Sequence, residues 1–307
     1  MERSPTPLNK NLNYKLFLQS PKQTDNLGQG HNPKMKLLHS YAVAVQAAII
    51  AVLTAACAHT GGQSDTAGDP DGTDSIVSQS IIKVDGKDLL RLDINTAKAS
   101  VELVDSLIPN IEDPKVCLCV EAAFTGEKTD SFSASNVAGD YVSIGRLRHG
   151  YNCEANTGLL YSASGRVTIE PIDSLEVMIR RAEANGGSLF QQMLLVYDGK
   201  DVYGGRPIYR TKENIYRAVC LFDRRSEKAD VEVSPGGGFT VIQSRYPVTL
   251  DCFVTALVHM GVRHALYLDM GMGWNYGWFR AYEGAPAHLL FAVRSVYQTN
   301  WLVVRAC

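Results

Sequence analysis

The sequence predicts an α+β (mixed α/β) fold, in which a mixed β-sheet core carries packed helices within a single domain. From residue 79 onward, short apolar runs alternate with Gly, Asn, Asp and Ser clusters, which is typical of strands joined by turns. Two segments, beginning near Asp173 and Thr249, instead have apolar residues at helical spacing. Hydrophobic residues make up 45% of the chain, enough for a sizeable core.

The N-terminal region predicts export and lipidation. In the segment 35–56, Lys36 supplies a small basic region. The apolar stretch that follows is short for a membrane span and typical of a secretory signal peptide. Leu-Thr-Ala-Ala precedes Cys57, as in a bacterial lipobox, where the cysteine is lipidated; the alternative is a secretory peptide that ends in Ala-Ala-Cys by chance. Residues 1–34 are polar and predict a non-native or upstream extension. We therefore expect a lipid-anchored protein of the bacterial cell envelope, periplasmic or on the outer membrane.

The rest of the chain predicts a flexible tether followed by one folded domain. Residues 57–78 are rich in Gly and Asp and contain a single large apolar residue before Val77, so they predict the tether, and 79–307 predict the domain. Asp85-Gly86 predicts a hairpin turn. Asp173 with Glu176 predicts the start of one helix, and Thr249 the N-cap of another that ends at Gly261. Further strands are predicted near Val101–Val104, Val116–Val120, Tyr141–Leu147, Leu159–Tyr161, Val167–Ile169, Leu194–Tyr197, Tyr216–Phe222, Val231–Val233, Phe239–Ile242 and Ala265–Leu268.

Charge and cysteine content restrict the function classes. The formal net charge is −2 with both signs interspersed, which predicts no nucleic-acid partner. Cys117, Cys119, Cys220 and Cys252 fall in apolar strands or a helix, so we expect buried thiols, although an envelope location would permit disulfides. The Cys117-x-Cys119 pair lacks a second Cys/His pair at zinc spacing. No cofactor is predicted, and a divalent metal stays an open alternative.

The segment from Leu266 to Arg280 is the most informative for function. Its alternating residues predict a buried strand that ends at Asp269, and the glycines that follow, Gly271 and Gly273, permit a sharp turn and close approach to a ligand. In open α/β sheets, ligands gather outside the carboxyl ends of strands. We therefore expect Asp269 at the rim of a cleft. The alternative is that Asp269 caps a turn beside an ordinary core corner.

The order of helix, glycine, strand and Leu-Asp-x-Gly-x-Gly resembles the last part of the phosphodiester glycosidase family (the N-acetylglucosamine-1-phosphodiester alpha-N-acetylglucosaminidase-like domain). Four other segments resemble the family in the right order from about Leu90 onward: Val116 to Gly126, Ala184 to Lys200, Tyr216 to Asp223 and Gln298 to Arg305. The chain also departs from the family pattern. Glu121 stands where the family usually has Asn, two alanines replace glycines after it, Met270 replaces the glycine after the aspartate, and no serine follows Gly273.

The resemblance implies hydrolysis of the bond between a sugar's anomeric carbon and a phosphodiester oxygen. It implies Asp269 as the catalytic carboxylate and Arg217 as a phosphate clamp, or alternatively as a structural ion pair. Glu121 would add a second carboxylate to divide acid and base roles. Trp274, Tyr276 and Trp278 offer flat faces for sugar C–H groups, or a lid or core role. Asn275 and Arg280 would hydrogen-bond hydroxyls or phosphate, and His288 would carry a proton or act structurally.

Two further functions compete with hydrolysis of a sugar-1-phosphodiester. The first is a non-catalytic glycan-binding lipoprotein that keeps the fold and its aromatic cleft but has lost the usual glycines and Asn. The second is an envelope-assembly protein without a sugar site. The predicted partners are a glycan or sugar-phosphate substrate, and the membrane through the lipid on Cys57.

Overall fold

The computed structural model describes residues 75–105, 108–127, 131–203, 213–223, 238–271, 276–291 and 299–307. Within these ranges the chain forms nineteen strands and two α-helices. The strands are β1 (Val77–Val84), β2 (Lys87–Ile94), β3 (Ala99–Val104), β4 (Val116–Glu121), β5 (Tyr141–Ser143), β6 (Arg146–Arg148), β7 (Gly158–Ala163), β8 (Arg166–Pro171), β9 (Ser188–Gln192), β10 (Leu194–Tyr197), β11 (Lys200–Asp201), β12 (Glu213–Asn214), β13 (Arg217–Phe222), β14 (Phe239–Ser244), β15 (Val248–Thr249), β16 (Val262–Leu268), β17 (Gly277–Phe279), β18 (His288–Leu289) and β19 (Trp301–Ala306). The helices are α1 (Leu175–Ala184) and α2 (Leu250–His259). Neither of these two helices has the length and apolarity needed to span a membrane.

The strands build three main sheets. Sheet I has seven strands in the order β1-β2-β14-β13-β16-β10-β11. Sheet II has five in the order β18-β17-β4-β19-β3, and sheet III has five in the order β6-β5-β9-β7-β8. Strands β12 and β15 form a separate pair. Every pairing between these strands is antiparallel.

The predicted α+β fold, with a mixed sheet core and packed helices, is therefore wrong. The described protein is mostly β, and its two helices of ten residues each cover only part of two sheets. The error has a physical cause: α2 leads into β16, but β16 pairs antiparallel with β10 and β13 and so starts no parallel layer. The rule that places ligands at the carboxyl ends of parallel strands does not apply to Asp269.

Local sequence signals were more successful than the fold class. The hairpin is confirmed: β1 pairs with β2 across Asp85 and Gly86, whose positive φ angles of 48° and 74° suit a tight two-residue turn. The start of α2 is also confirmed, because the Thr249 hydroxyl accepts a hydrogen bond from the Cys252 amide at 3.2 Å. At α1 the helix is confirmed, but Ser174 is its N-cap and makes no side-chain capping bond. The strand predicted at Val231–Val233 lies outside the described residues.

One hydrophobic cluster joins the inner faces of the three sheets. Leu266 and Leu268 from sheet I, Val120 from sheet II and Phe190 from sheet III all contribute to it and are buried. On the outer faces, α2 packs on sheet I and α1 on sheet III. The outer face of sheet II carries a smaller cluster that includes Trp278 and Trp301. The site described below lies where sheets I and II meet.

The cysteine predictions are confirmed in part. Cys117, Cys119 and Cys220 are buried thiols, as expected from their apolar strands. The prediction is wrong for Cys252, which is exposed because it lies on the outward face of α2. Within the described ranges no cysteine forms a disulfide.

Candidate functional site

Three strand ends bring Glu121, Arg217 and Asp269 together. Glu121 is the last residue of β4, Arg217 is the first of β13, and Asp269 directly follows β16. Arg217 and Leu268 are register partners in sheet I, which places Asp269 next to the start of β13. The Asp269 amide donates to the Ala122 carbonyl at 3.0 Å, which connects this point of sheet I to the end of β4 in sheet II. The two carboxyl groups and the guanidinium therefore share one region.

Arg217 is buried and only partly hydrogen-bonded. Its Nε donates to the Gln243 side-chain oxygen at 2.8 Å, and its Nη1 donates to the Tyr276 carbonyl at 3.4 Å. Its Nη2 has no hydrogen-bond partner, and no carboxylate lies within 4.0 Å of the guanidinium, among the residues that the structure describes. Burial lowers the Arg217 pKa, while nearby Glu121 raises it, and an arginine stays charged at neutral pH. The Nη2 amino group, with its two N–H donors, is thus available to an anion.

Glu121 is a buried acid whose environment favours the neutral form. Its exposed fraction is 1%, and neither carboxyl oxygen has a hydrogen-bond partner in the described part of the chain. Burial raises the pKa of Glu121, and the charge of Asp269 raises it further. Arg217 and the Tyr276 backbone lower this pKa, but they offset only part of the effect. We therefore expect Glu121 to hold its proton at neutral pH.

Asp269 is also buried but receives backbone N–H groups. Its Oδ1 accepts from the Gly271 amide at 3.0 Å, and the amides of Thr125 and Met270 stabilise the charged form as well. Burial outweighs these bonds and raises the pKa of Asp269 to about 7. Near neutral pH, the Asp269 carboxyl group is therefore present in both protonation states. Its environment differs from that of Glu121 mainly in these amides.

Polar residues that the sequence interpretation missed hold this region in place. Asn300 is fully buried; its Oδ1 accepts from the Ala123 amide at 2.7 Å and its Nδ2 donates to the Ala123 carbonyl at 3.1 Å. Gln192 donates to the Ala122 carbonyl at 3.4 Å, and Gln243 positions Arg217. All three are amides inside or directly before apolar strands. A buried polar residue in an apolar run needs a partner, so this pattern was the available signal.

The aromatic candidates that the structure describes lie in the core. Strand β17 pairs with β4, so Trp278 stands opposite Cys119 and is fully buried. Tyr276 is also buried and contacts Trp301 edge to face, with ring centroids 6.2 Å apart. These positions correspond to the alternative in which the aromatics pack a core. Trp274, Gly273 and Asn275 lie outside the described residues, as does Cys57.

The remaining candidates have other contacts. Gly271 takes part in the site through its amide bond to Asp269. The Arg280 guanidinium donates to the carbonyls of Ala285 and Ile111, near the opposite end of β4 from Glu121. His288 is exposed on β18 and stacks on Phe279 at 5.3 Å between centroids. The structure therefore brings Asp269, Arg217, Glu121 and Gly271 together and leaves Arg280 and His288 elsewhere.

Within the described ranges, no group of three or more His, Cys, Asp or Glu residues is arranged to hold a metal ion.

Comparisons with known proteins give little further information. No family model and no curated protein matches this chain. Among solved structures, the chain has a distant similarity to the zebrafish N-acetylglucosamine-1-phosphodiester alpha-N-acetylglucosaminidase catalytic domain auto-inhibited by its pro-peptide. The TM-score is 0.45 at 12% identity, over 76% of this chain and 82% of that one. A similarity of this size supports no conclusion about what this chain binds or catalyses.

Proposed function

We propose that this protein hydrolyses a sugar-1-phosphodiester. One observation carries the proposal: a buried arginine with an available N–H group lies beside two carboxyl groups whose pKa values are both raised. Carboxyl pairs with different proton affinities are characteristic of acid and base chemistry. A guanidinium recognises phosphate oxygens well because its N–H groups form a planar fork. The resemblance seen in the sequence motifs agrees with this chemistry.

The three groups suit the reaction in distinct ways. The bond between C1 of the sugar and the bridging phosphate oxygen breaks, and its electron pair stays on that oxygen. A water oxygen forms the new bond to C1 and passes one proton to the Asp269 carboxylate. Arg217 offsets the negative charge of the departing phosphate monoester, and protonated Glu121 supplies a hydrogen bond or proton to it. Ionised Asp269 also stabilises positive charge at C1 in the transition state.

Burial of the site supports a second candidate, a glycan-binding protein without catalysis. The exposed fractions are 0% for Arg217, 1% for Glu121 and 3% for Asp269. The Phe291 ring lies 5.9 Å from the Arg217 guanidinium carbon and is itself only partly buried. Because the three groups are buried, a substrate reaches them only when the side chains around them move aside. A protein in which this never happens would bind glycans elsewhere on its surface.

We place this activity in the bacterial cell envelope, on the basis of the signal and lipobox patterns alone. A chain anchored through Cys57 would reach glycans joined to the envelope by phosphodiester links. This location, like lipidation, is part of the proposal.

A turnover assay on a panel of sugar-1-phosphodiesters, with and without divalent metal, tests the proposal. We expect Asp269→Asn to reduce turnover by more than a hundredfold with little change in binding, because its main contribution is to the transition state. Arg217→Lys keeps the charge but loses the planar fork, so substrate affinity falls as well. The matched control is Asp173→Asn, at an exposed position. Absence of turnover by the unmodified protein across the panel, with glycan binding retained, would leave the binding function instead.

A further inference from the structure

A polar groove lies beside Asp269. It has a volume of about 460 Å³, and the residues that line it include Gly126, Glu127, Ser133, Ser135, Asn136 and Tyr151. Gly126 follows Thr125, whose backbone amide stabilises the charged form of Asp269. Tyr151, which contributes to the groove wall, is close enough to Asp269 for that charge to act on its phenol. The Asp269 amide also donates to the carbonyl of Ala122, four residues before Gly126, so the groove lies near the region of the proposed chemistry.

The groove is lined by groups that bind hydroxyls. Ser133 and Ser135 each carry a hydroxyl, and their oxygens lie 2.8 Å apart. Tyr151 adds a phenol that is only partly buried. Among the described residues that line the groove, Glu127 is the one with a charged side chain. Hydroxyls with one carboxylate suit an uncharged polyhydroxylated ligand, whereas the Glu127 carboxylate would repel a phosphate.

The groove wall is held in a fixed shape. The Asn136 side-chain oxygen accepts from the Glu127 amide at 2.6 Å, and the Asn136 side-chain nitrogen donates to the Glu127 carbonyl at 2.7 Å. Gly126 packs so closely that a Cβ there would lie 2.8 Å from the Asn136 side-chain oxygen. A wall held by its own hydrogen bonds needs little reordering when a ligand binds, which reduces the entropic cost of binding.

A second surface groove differs from the first because it contains an arginine that is paired with carboxylates. It has a similar volume of about 450 Å³ and lies beside Val262 at the start of β16, whereas Asp269 follows the end of that strand. Among the described residues that line it, the cation is Arg263, whose guanidinium lies 3.4 Å from an Asp198 oxygen and 3.6 Å from an Asp223 oxygen. The guanidinium is thus engaged by carboxylates of the same groove, and this surface provides a matched control.

We propose that the groove formed by Gly126, Glu127, Ser133, Ser135, Asn136 and Tyr151 binds the neutral sugar ring of the substrate. This inference rests on the proposed function, in which Asp269 acts at the anomeric carbon and Arg217 on the phosphate. The ligand is then divided between two surfaces: the uncharged hydroxyl groups lie in the groove, and the anion lies against the buried guanidinium.

Binding of neutral methyl glycosides and of inorganic phosphate, measured separately on the full chain, tests the division. The double variant Ser133→Ala with Ser135→Ala removes two hydroxyls and adds no bulk to the groove, and Tyr151→Phe removes one. We expect each to weaken binding of the best methyl glycoside by tenfold or more and to leave phosphate binding unchanged. Arg217→Lys should do the reverse, and Arg263→Ala should change neither. Unfolding temperatures close to that of the parent protein establish that the variants are folded.

The outcomes separate this inference from the proposed function. Loss of glycoside binding in the groove variants supports sugar binding in the groove, even when the parent protein shows no turnover. In that case only the proposed hydrolysis is refuted. If the groove variants change neither turnover nor glycoside binding, sugar binding in the groove is refuted. The proposed hydrolysis then still holds. Equal weakening of glycoside and phosphate binding, or no glycoside binding by the parent protein, also overturns it.

Discussion

Arg217 and Gln243 are register partners on β13 and β14, and the Arg217 Nε donates a 2.8 Å hydrogen bond to the Gln243 side-chain oxygen. The strand pairing thus brings the two side chains together, and the bond fixes the direction of the guanidinium. Gln243 is uncharged, so it orients Arg217 without neutralising it. The charge stays available to an anionic ligand.

The first prediction concerns this orientation. Gln243→Leu removes the acceptor and leaves a buried charged N–H group unpaired, so we expect a lower unfolding temperature and about tenfold weaker phosphate binding. Gln243→Glu keeps an acceptor but neutralises Arg217, so phosphate binding should fall while the unfolding temperature is kept. Calorimetric titration with phosphate and thermal unfolding measure the two effects. Gln79→Leu, at an exposed position of β1, is the control; phosphate binding by Gln243→Glu equal to that of the parent would contradict the prediction.

The second prediction concerns pH. The Asp269 pKa is raised from 3.8 to about 7, so between about pH 4 and 7 the folded state binds more protons than the unfolded state. The free energy of unfolding therefore decreases as pH rises through this range, by about 4 kcal/mol from this group. Asp269→Asn should remove that part of the pH dependence, and Asp173→Asn should keep it. Urea unfolding at several pH values measures the slope; parallel slopes for the parent and Asp269→Asn would refute the assignment.

The third prediction concerns Asn300. Asn300→Ala leaves the Ala123 amide and carbonyl without their partners in a buried place, so we expect the free energy of unfolding to fall by roughly 2–5 kcal/mol. Asn110→Ala removes a single local hydrogen bond in an exposed turn and should cost less than about 1 kcal/mol. Chemical denaturation of both variants gives the comparison. Similar losses in the two would show that Asn300 does not hold the strand end.

The fourth prediction separates packing from sugar binding at Trp278. Trp278→Ala should cost about 3–5 kcal/mol, because the ring is fully buried. Trp278→Phe should cost much less, since the indole Nε1 has no hydrogen-bond partner within the described ranges. Tyr282→Ala, where the ring is 41% exposed, is the control. A variant Trp278→Ala that unfolds like the parent but loses glycan binding would support a sugar-facing ring instead.

The fifth prediction concerns the N-terminal region. If the lipobox is used, Cys57→Ser abolishes incorporation of a labelled fatty acid, and an inhibitor of lipoprotein signal peptidase blocks maturation. Cys252→Ser, an exposed cysteine on α2, should label like the parent. Labelling that persists in Cys57→Ser would exclude lipidation at this residue.

The sequence predicted those parts of the fold that depend on neighbouring residues. The turn at Asp85-Gly86, the Thr249 cap and the strand that ends at Asp269 were all found, because turn and cap chemistry acts over a few residues. The fold class was not found. Whether strands pair parallel or antiparallel depends on partners far away in the chain, as when β17 pairs with β4. That pairing is also why Trp278 is buried, as in the core alternative that the sequence left open.

The composition of the candidate site could be predicted only in part. Asp269 and Glu121 were chosen at the ends of predicted strands and Arg217 from the family resemblance, and the structure places the three residues together. Asn300 and Gln243 were missed because their partners, Ala123 and Arg217, come from other strands. A single buried amide in an apolar strand indicates that some partner exists, but the register alone identifies it.

The bare carboxyl group of Glu121 has an evolutionary meaning as well as a chemical one. A leucine or methionine at the end of β4 would fill the same apolar place without burying two oxygen atoms that lack partners within the described ranges. Selection for stability alone would favour such a replacement, since proteins readily accept stabilising exchanges that harm no function. An ancestor that lost its ligand would therefore be expected to lose this acid early. The acid at this position therefore costs stability, and a role in ligand binding would account for that cost.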